Sequence, residues 1–221
     1  MTSTETATQT RSARWFAPAT ACTALLIAAA VIGQLVYSLS FDPDDTAFFF
    51  TNFFSFFTIL SNVLAAVTLA GATWFFAVPR PVPSWFWGSF AAVTTYMVTT
   101  GVVYNALLRG ISLDQESTLG WSNEVLHLVG PILVAALWWA APGRTPLPWR
   151  HLRLAAVFPL VWGVYTVIRG ALVDWYPYPF MNPAQPGGYG AVLLYMCGIA
   201  ALIVGADALI VWLSRRRRER S

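Results

Sequence analysis

Six apolar runs, each long enough to cross a hydrocarbon core of about 30 Å at roughly 20 residues a crossing, constrain this chain more than any other feature. They extend from Phe16 to Leu39, Phe53 to Val78, Trp85 to Leu108, Trp121 to Ala141, Leu152 to Val173 and Tyr189 to Leu213. In lipid every backbone N–H and C=O must be satisfied within its own segment, so such runs fold as helices. Only short connections remain between them, with no room for a soluble domain. Of the 221 residues, 57% are hydrophobic and 10% charged, against roughly 25% charged in a soluble domain. The expected fold is all-α: a polytopic transmembrane bundle of six helices over residues 15–213, with short tails at 1–14 and 214–221.

Arginine sets the expected orientation, because loops retained in the cytoplasm keep positive charge near span ends. Arg11 and Arg14 precede the first run and Arg80 follows the second. Arg144, Arg150 and Arg153 separate the fourth from the fifth, and Arg215 to Arg218 with Arg220 close the chain. All fall on one side. The opposite side carries Asp42, Asp44, Asp45, Asp114, Glu116 and Asp174, with only Arg109 and Arg169 for positive charge. Both termini are therefore expected in the cytoplasm and the protein in the cell membrane. Trp15, Trp85, Trp121, Trp149, Trp175 and Trp212 lie at run ends, where an amphipathic ring prefers the headgroup zone. The formal charge of +3 is this asymmetry and not a nucleic-acid signal. The first run is longer than a signal-peptide core, so it is expected to stay as a span. Cys22 and Cys197 fall at different depths and are expected to be packing residues rather than a disulfide.

Ionisable and amide side chains inside such runs are costly and are read as functional candidates. His127 lies four residues before Pro131, whose missing N–H leaves the histidine's carbonyl without its helical partner. Glu124 shares a face with it and could orient or charge the ring. In the second run Thr51, Ser55, Thr58 and Asn62 are spaced by four, three and four residues, one continuous helical stripe. Because the second and fourth runs cross in the same direction, Thr58 and His127 are expected at similar depth, in reach if their helices face each other. Asn105 and Tyr104 close the third run and Tyr165 and Arg169 sit near the end of the fifth, so Arg109 and Arg169 flank one level as candidate carboxylate clamps. The Pro-, Gly- and Tyr-rich segment from Trp175 to Gly188 is expected to form an ordered lid. Asp207 is expected to pair with the arginine tail, His151 to lie in a cytoplasmic loop, and Thr94, Thr95, Thr99 and Thr100 to bond back to their own helix.

A hydroxyl beside an imidazole is the minimum for nucleophilic acyl transfer, with buried donors such as Asn62 and Asn105 holding the oxyanion. A site in the outer third of a bilayer suits a lipid ester. A retinal pigment is excluded because the chain has no lysine, and no HExxH, CxxC or glycine-rich phosphate loop is present. No cofactor or metal is expected. The alternative reading is a transporter or lipid-binding protein in which His127 and Glu124 carry a proton or bind a ligand.

Three stretches form a further pattern: FFTILSNVL from Phe56, HLVGPIL from His127, and YTVIRG from Tyr165 followed by DWYPYPF from Asp174. Together they resemble the bacterial branch of the androgen-induced-gene membrane family, over the chain from about the second run to the sixth. Eukaryotic members are threonine hydrolases that cleave fatty acid esters of hydroxy fatty acids without a cofactor. The resemblance implies a nucleophile at Thr58, a histidine base at His127, and membrane lipids or fatty acid esters as partners. Asn62, Asn105, Glu124, Arg109 and Arg169 join the candidate site by position alone.

Overall fold

The chain is described by a computed structural model covering residues 3–78, 81–111 and 118–216, with side chains of the first helix described from Trp15 onward. Arg80, Asp114, Glu116, the arginines after Arg216 and the side chains of Arg11 and Arg14 lie outside the described residues. In chain order the helices are α1 (Ser3–Leu39), α2 (Thr46–Phe53), α3 (Phe57–Ala77), α4 (Ser84–Val103), α5 (Gly120–Glu124), α6 (Gly130–Ala140), α7 (His151–Val173) and α8 (Gly188–Arg216). Two five-residue turns of π-helix interrupt them: Tyr104–Leu108 extends α4, and Val125–Val129 joins α5 to α6. The result is six helical spans long and apolar enough to cross a membrane. This is an all-helical, multi-pass membrane protein.

Lipid-facing surface is supplied by side chains such as Leu25, Val67, Leu172 and Leu194, all exposed although apolar. Polar groups turn inward. α4 is the most enclosed span, packed against α3, α6 and α8, while α1 lies along α3 and also meets α6. α7 packs on α8 and touches α4 more lightly. A gap between α4, α7 and α8 follows from that looser packing.

The second span is not the continuous helix its stripe of hydroxyls suggests. α2 stops at Phe53 and α3 starts at Phe57, with Phe56 in extended backbone (φ −71°, ψ 126°). Tertiary contacts hold the break open: the Trp162 indole N–H donates to the Ser55 carbonyl at 2.9 Å. Phe56 meanwhile packs edge-on against Trp175 and Tyr178. Thr51 and Ser55 bond back to Ala47 and Thr51 carbonyls. Thr58 is thereby moved from mid-helix to the first turn of α3.

Two further expectations are corrected where α4, α7 and α8 meet. His151 is not a loop residue but the buried first residue of α7. Asp207 takes His151 as its partner, not the arginine tail: Asp207 Oδ2 lies 3.0 Å from His151 Nδ1, and Asp207 Oδ1 accepts from the Thr95 hydroxyl at 3.0 Å. The Gly88 carbonyl accepts from His151 Nε2 at 2.8 Å, so α4, α7 and α8 are tied at one level. A buried carboxylate needs a close, directional partner, and His151 with Thr95 supplies it here. Arg215 instead bonds the Leu147 carbonyl, and Arg216 stacks on Trp212. Thr94, Thr95 and Thr99 bond back to their own helix as expected, whereas Thr100 pairs with Ser61 at 2.9 Å. Cys22 and Cys197 are both free and exposed.

Candidate functional site

At the end of the bundle opposite the chain termini, three elements converge: the first turn of α3, the π-turn between α5 and α6, and the Tyr178–Met181 turn after α7. Thr58 Oγ1 lies 3.2 Å from His127 Nε2, with both residues buried. His127 Nδ1 lies 3.0 Å from the Asn123 carbonyl, which can only accept, so the ring proton sits on Nδ1. Nε2 is left as an acceptor for the Thr58 hydroxyl. That is the tautomer a general base requires.

The ring is also clamped from the side. Tyr104 stacks on His127 with ring centroids 3.8 Å apart and 22° between planes. The Asn123 amide donates to the Tyr104 hydroxyl at 2.6 Å. Tyr104 thus fixes the ring plane and presents a π-face on which imidazolium charge is stabilised.

The π-turn explains why amides gather here. Gly130 N–H bonds to the Val125 carbonyl instead of Leu126, and Pro131 has no N–H for His127. Two successive carbonyls therefore lose their helical donors. Asn62 Nδ2 donates to Leu126 O at 3.2 Å and to Thr58 O at 2.9 Å. Asn105 Nδ2 donates to His127 O at 3.1 Å and to Gly101 O at 2.8 Å. Both amides are engaged in backbone repair, holding α3 and α4 against the widened turn. Such π-turns occur often at functional sites, because the extra residue re-aims the neighbouring side chains.

The flanking arginines are also occupied. Arg109 grips Glu124 through two bonds of 3.0 Å, and its Nε donates to Asn105 Oδ1 at 2.8 Å. Glu124 turns to this arginine rather than to His127. Arg169 donates to Asn52 Oδ1 at 2.6 Å and lies over the Phe48 and Trp175 rings. Neither guanidinium is in the Thr58–His127 contact.

Sequence reasoning did not single out Tyr178. Its hydroxyl lies 3.3 Å from Thr58 Oγ1 and accepts from the Thr58 N–H at 3.3 Å. It is buried, and that burial pushes its phenol above the ordinary 10.0, so it remains a proton donor. The aromatic YPYPF element was visible as a lid, but nothing in its spacing distinguishes the tyrosine that turns inward from Tyr176.

Thr58 opens onto an apolar cleft of about 320 Å³ between α4, α7 and α8. Tyr104, Tyr178 and Phe180 line it near Thr58, and Ala156 and Val204 line it at the far end. On α7 the lining extends from Val164 to Ala156, about 12 Å at 1.5 Å per residue. Leu160, Val164 and Val204 also face outward, so the cleft opens sideways between α7 and α8. No family model, curated protein or solved structure matches this chain.

Proposed function

We propose that this protein is an intramembrane hydrolase of lipid esters, with Thr58 as nucleophile and His127 as general base. The observation that carries the reading is the 3.2 Å contact between Thr58 Oγ1 and an imidazole whose other nitrogen is fixed by a carbonyl, at the head of a cleft open to lipid. The resemblance to the androgen-induced-gene family supports the same two residues.

The geometry supports the following reaction. Thr58 Oγ1 attacks the ester carbonyl carbon while its proton passes to His127 Nε2. Negative charge gathers on the carbonyl oxygen, where the Tyr178 hydroxyl beside Thr58 Oγ1 supplies a donor. His127 returns the proton to the alkoxide oxygen, the C–O bond breaks, and the alcohol departs from an acyl-threonine. Water then attacks that acyl group, giving one proton to His127, and the carboxylic acid leaves as Thr58 recovers its hydroxyl. Among the described residues no carboxylate bonds the histidine; the Asn123 carbonyl and the Tyr104 ring take over its orientation and charge. Asn62 and Asn105 hold the backbone that carries these groups, and Arg109 with Glu124 braces α4 against α5.

The arginine distribution supports a reading in which the site lies in the outer leaflet of the cell membrane and both termini are cytoplasmic. A transporter that uses His127 and Glu124 as a proton pair is less well supported, since Glu124 is bound to Arg109. Purified chain in detergent, offered a panel of fatty acid esters and a fluorophosphonate probe, tests the proposal. Turnover and labelling are expected to vanish in Thr58→Ala; activity that survives the substitution removes Thr58 as nucleophile.

A further inference from the structure

Beyond the apolar cleft lies a second chamber of about 220 Å³ on the far side of Phe180. Leu108 and Phe180 line both spaces. Phe180 is held in place by stacking on Tyr178, 5.2 Å between centroids and 8° between planes, with Tyr195 5.6 Å beyond it. The ring that partitions the two spaces is therefore stacked on the tyrosine that contacts Thr58. A molecule reacting at Thr58 has one arm in the cleft and only a short path past Phe180 for the other.

The two spaces differ in chemistry. The cleft is lined almost wholly by hydrocarbon, and its volume is at the small end of ligand cavities, roughly 300–1,000 Å³, which suits one acyl chain rather than two. The outer chamber instead offers the Asn182 and Gln185 amides and the Tyr195 hydroxyl among Leu107, Ile111 and Pro186. Among the described residues, none of those lining it is acidic or basic. Neither outer arginine lines this chamber: Arg109 is neutralised by two bonds to Glu124, and Arg169 is held by the neutral Asn52 amide between two aromatic rings. An anionic head seated here would lose hydration without gaining a cation, an expensive exchange. Hydroxyl groups, which both donate and accept, match amides and a phenol.

We infer that the lipid taken by this site is a single-chain molecule with an uncharged, hydroxyl-bearing head, of the acylglycerol type, its chain in the cleft and its head in the chamber behind Phe180. The inference rests on the ester-hydrolase reading for the reaction but on charge and volume for the ligand. It sets a carboxylate-ended ester apart as a poor fit.

The test separates the two. The Thr58→Ala chain in detergent is titrated with a glyceryl ether and with a fatty carboxylate carrying the same saturated chain, and binding is read from tryptophan fluorescence and the unfolding midpoint. The ether is expected to bind at least about tenfold more tightly, ~1.4 kcal/mol. The paired replacement Asn182→Leu with Gln185→Leu is expected to abolish that preference in a chain that still folds, its unfolding midpoint lowered only by loss of the Ala184 N–H bond to Asn182 Oδ1. Equal or tighter binding of the carboxylate, binding of neither, or a preference that survives the paired replacement overturns the assignment. Turnover of the matching glyceryl ester by the unaltered chain judges the reaction separately. A retained binding preference with no turnover removes the hydrolase and supports the ligand class.

Discussion

Thr58 owes its chemistry to its place in the first turn of α3, where helix N–H groups lack intrahelical acceptors and a buried phenol and an imidazole reach the same hydroxyl. His127→Gln is expected to keep the fold and lower kcat by about 10²- to 10⁴-fold, the usual worth of a positioned general base. Steady-state ester hydrolysis beside a thermal melt checks both halves of that statement. Tyr178→Phe removes a donor beside Thr58 Oγ1 and the acceptor of the Thr58 N–H but no packing, so kcat is expected to fall by about 10²- to 10³-fold, the loss typical of a single oxyanion donor. An unchanged kcat would assign the Tyr178 hydroxyl to structure alone. The sequence made Thr58 and His127 visible, because a hydroxyl stripe and a lone imidazole stand out among hydrocarbon. It could not show Tyr178, whose partner is 120 positions away.

At the scale of the helices, the π-turn at Val125–Val129 is the device that presents His127. Pro131 was legible as a break, but the second lost carbonyl, at Leu126, arises from the wide turn and has no sequence signature. Replacing Asn105 by Leu leaves the His127 carbonyl unsatisfied and is expected to cost about 1–3 kcal/mol. Pro131→Ala returns an N–H to that region, so the double variant Asn105→Leu, Pro131→Ala is expected to recover part of the loss. Unfolding midpoints of the four chains measure the coupling; strict additivity would refute the shared carbonyl. Gly130 is constrained as well, because a Cβ there would lie 2.7 Å from the Val125 carbonyl. The break between α2 and α3 is a different case. Neither proline nor glycine occurs at residues 54–56; the bonds of Trp162 and Tyr165 to Ser55 and the aromatic packing around Phe56 hold the break there.

Across the whole molecule, a reactive end and a structural end can be separated. The His151–Asp207 pair, side chains 3% and 1% exposed, joins three helices far along α4 from His127. Removing one partner leaves an unpaired buried group, so His151→Leu is expected to destabilise by about 3–5 kcal/mol. Its signature is a lower unfolding midpoint with turnover per folded molecule preserved. Ala156→Trp acts oppositely: it fills the deep end of the cleft, so long-chain esters should lose turnover while short-chain esters keep it. Equal loss for all chain lengths would mean that acyl chains do not occupy the cleft.

The sequence by itself determined that this chain crosses a membrane six times as helices, since lipid leaves apolar backbone no other way to satisfy its hydrogen bonds. It also marked Thr58 and His127, since polar groups are conspicuous where hydrocarbon is the rule. Only the tertiary structure decided where the second span breaks, which carbonyls the asparagines repair, that Arg109 belongs to Glu124 and Asp207 to His151, and that Tyr178 reaches Thr58. Each of these is a bond between residues distant along the chain. Its free energy depends on the burial and alignment that helix packing creates, and local pattern carries neither.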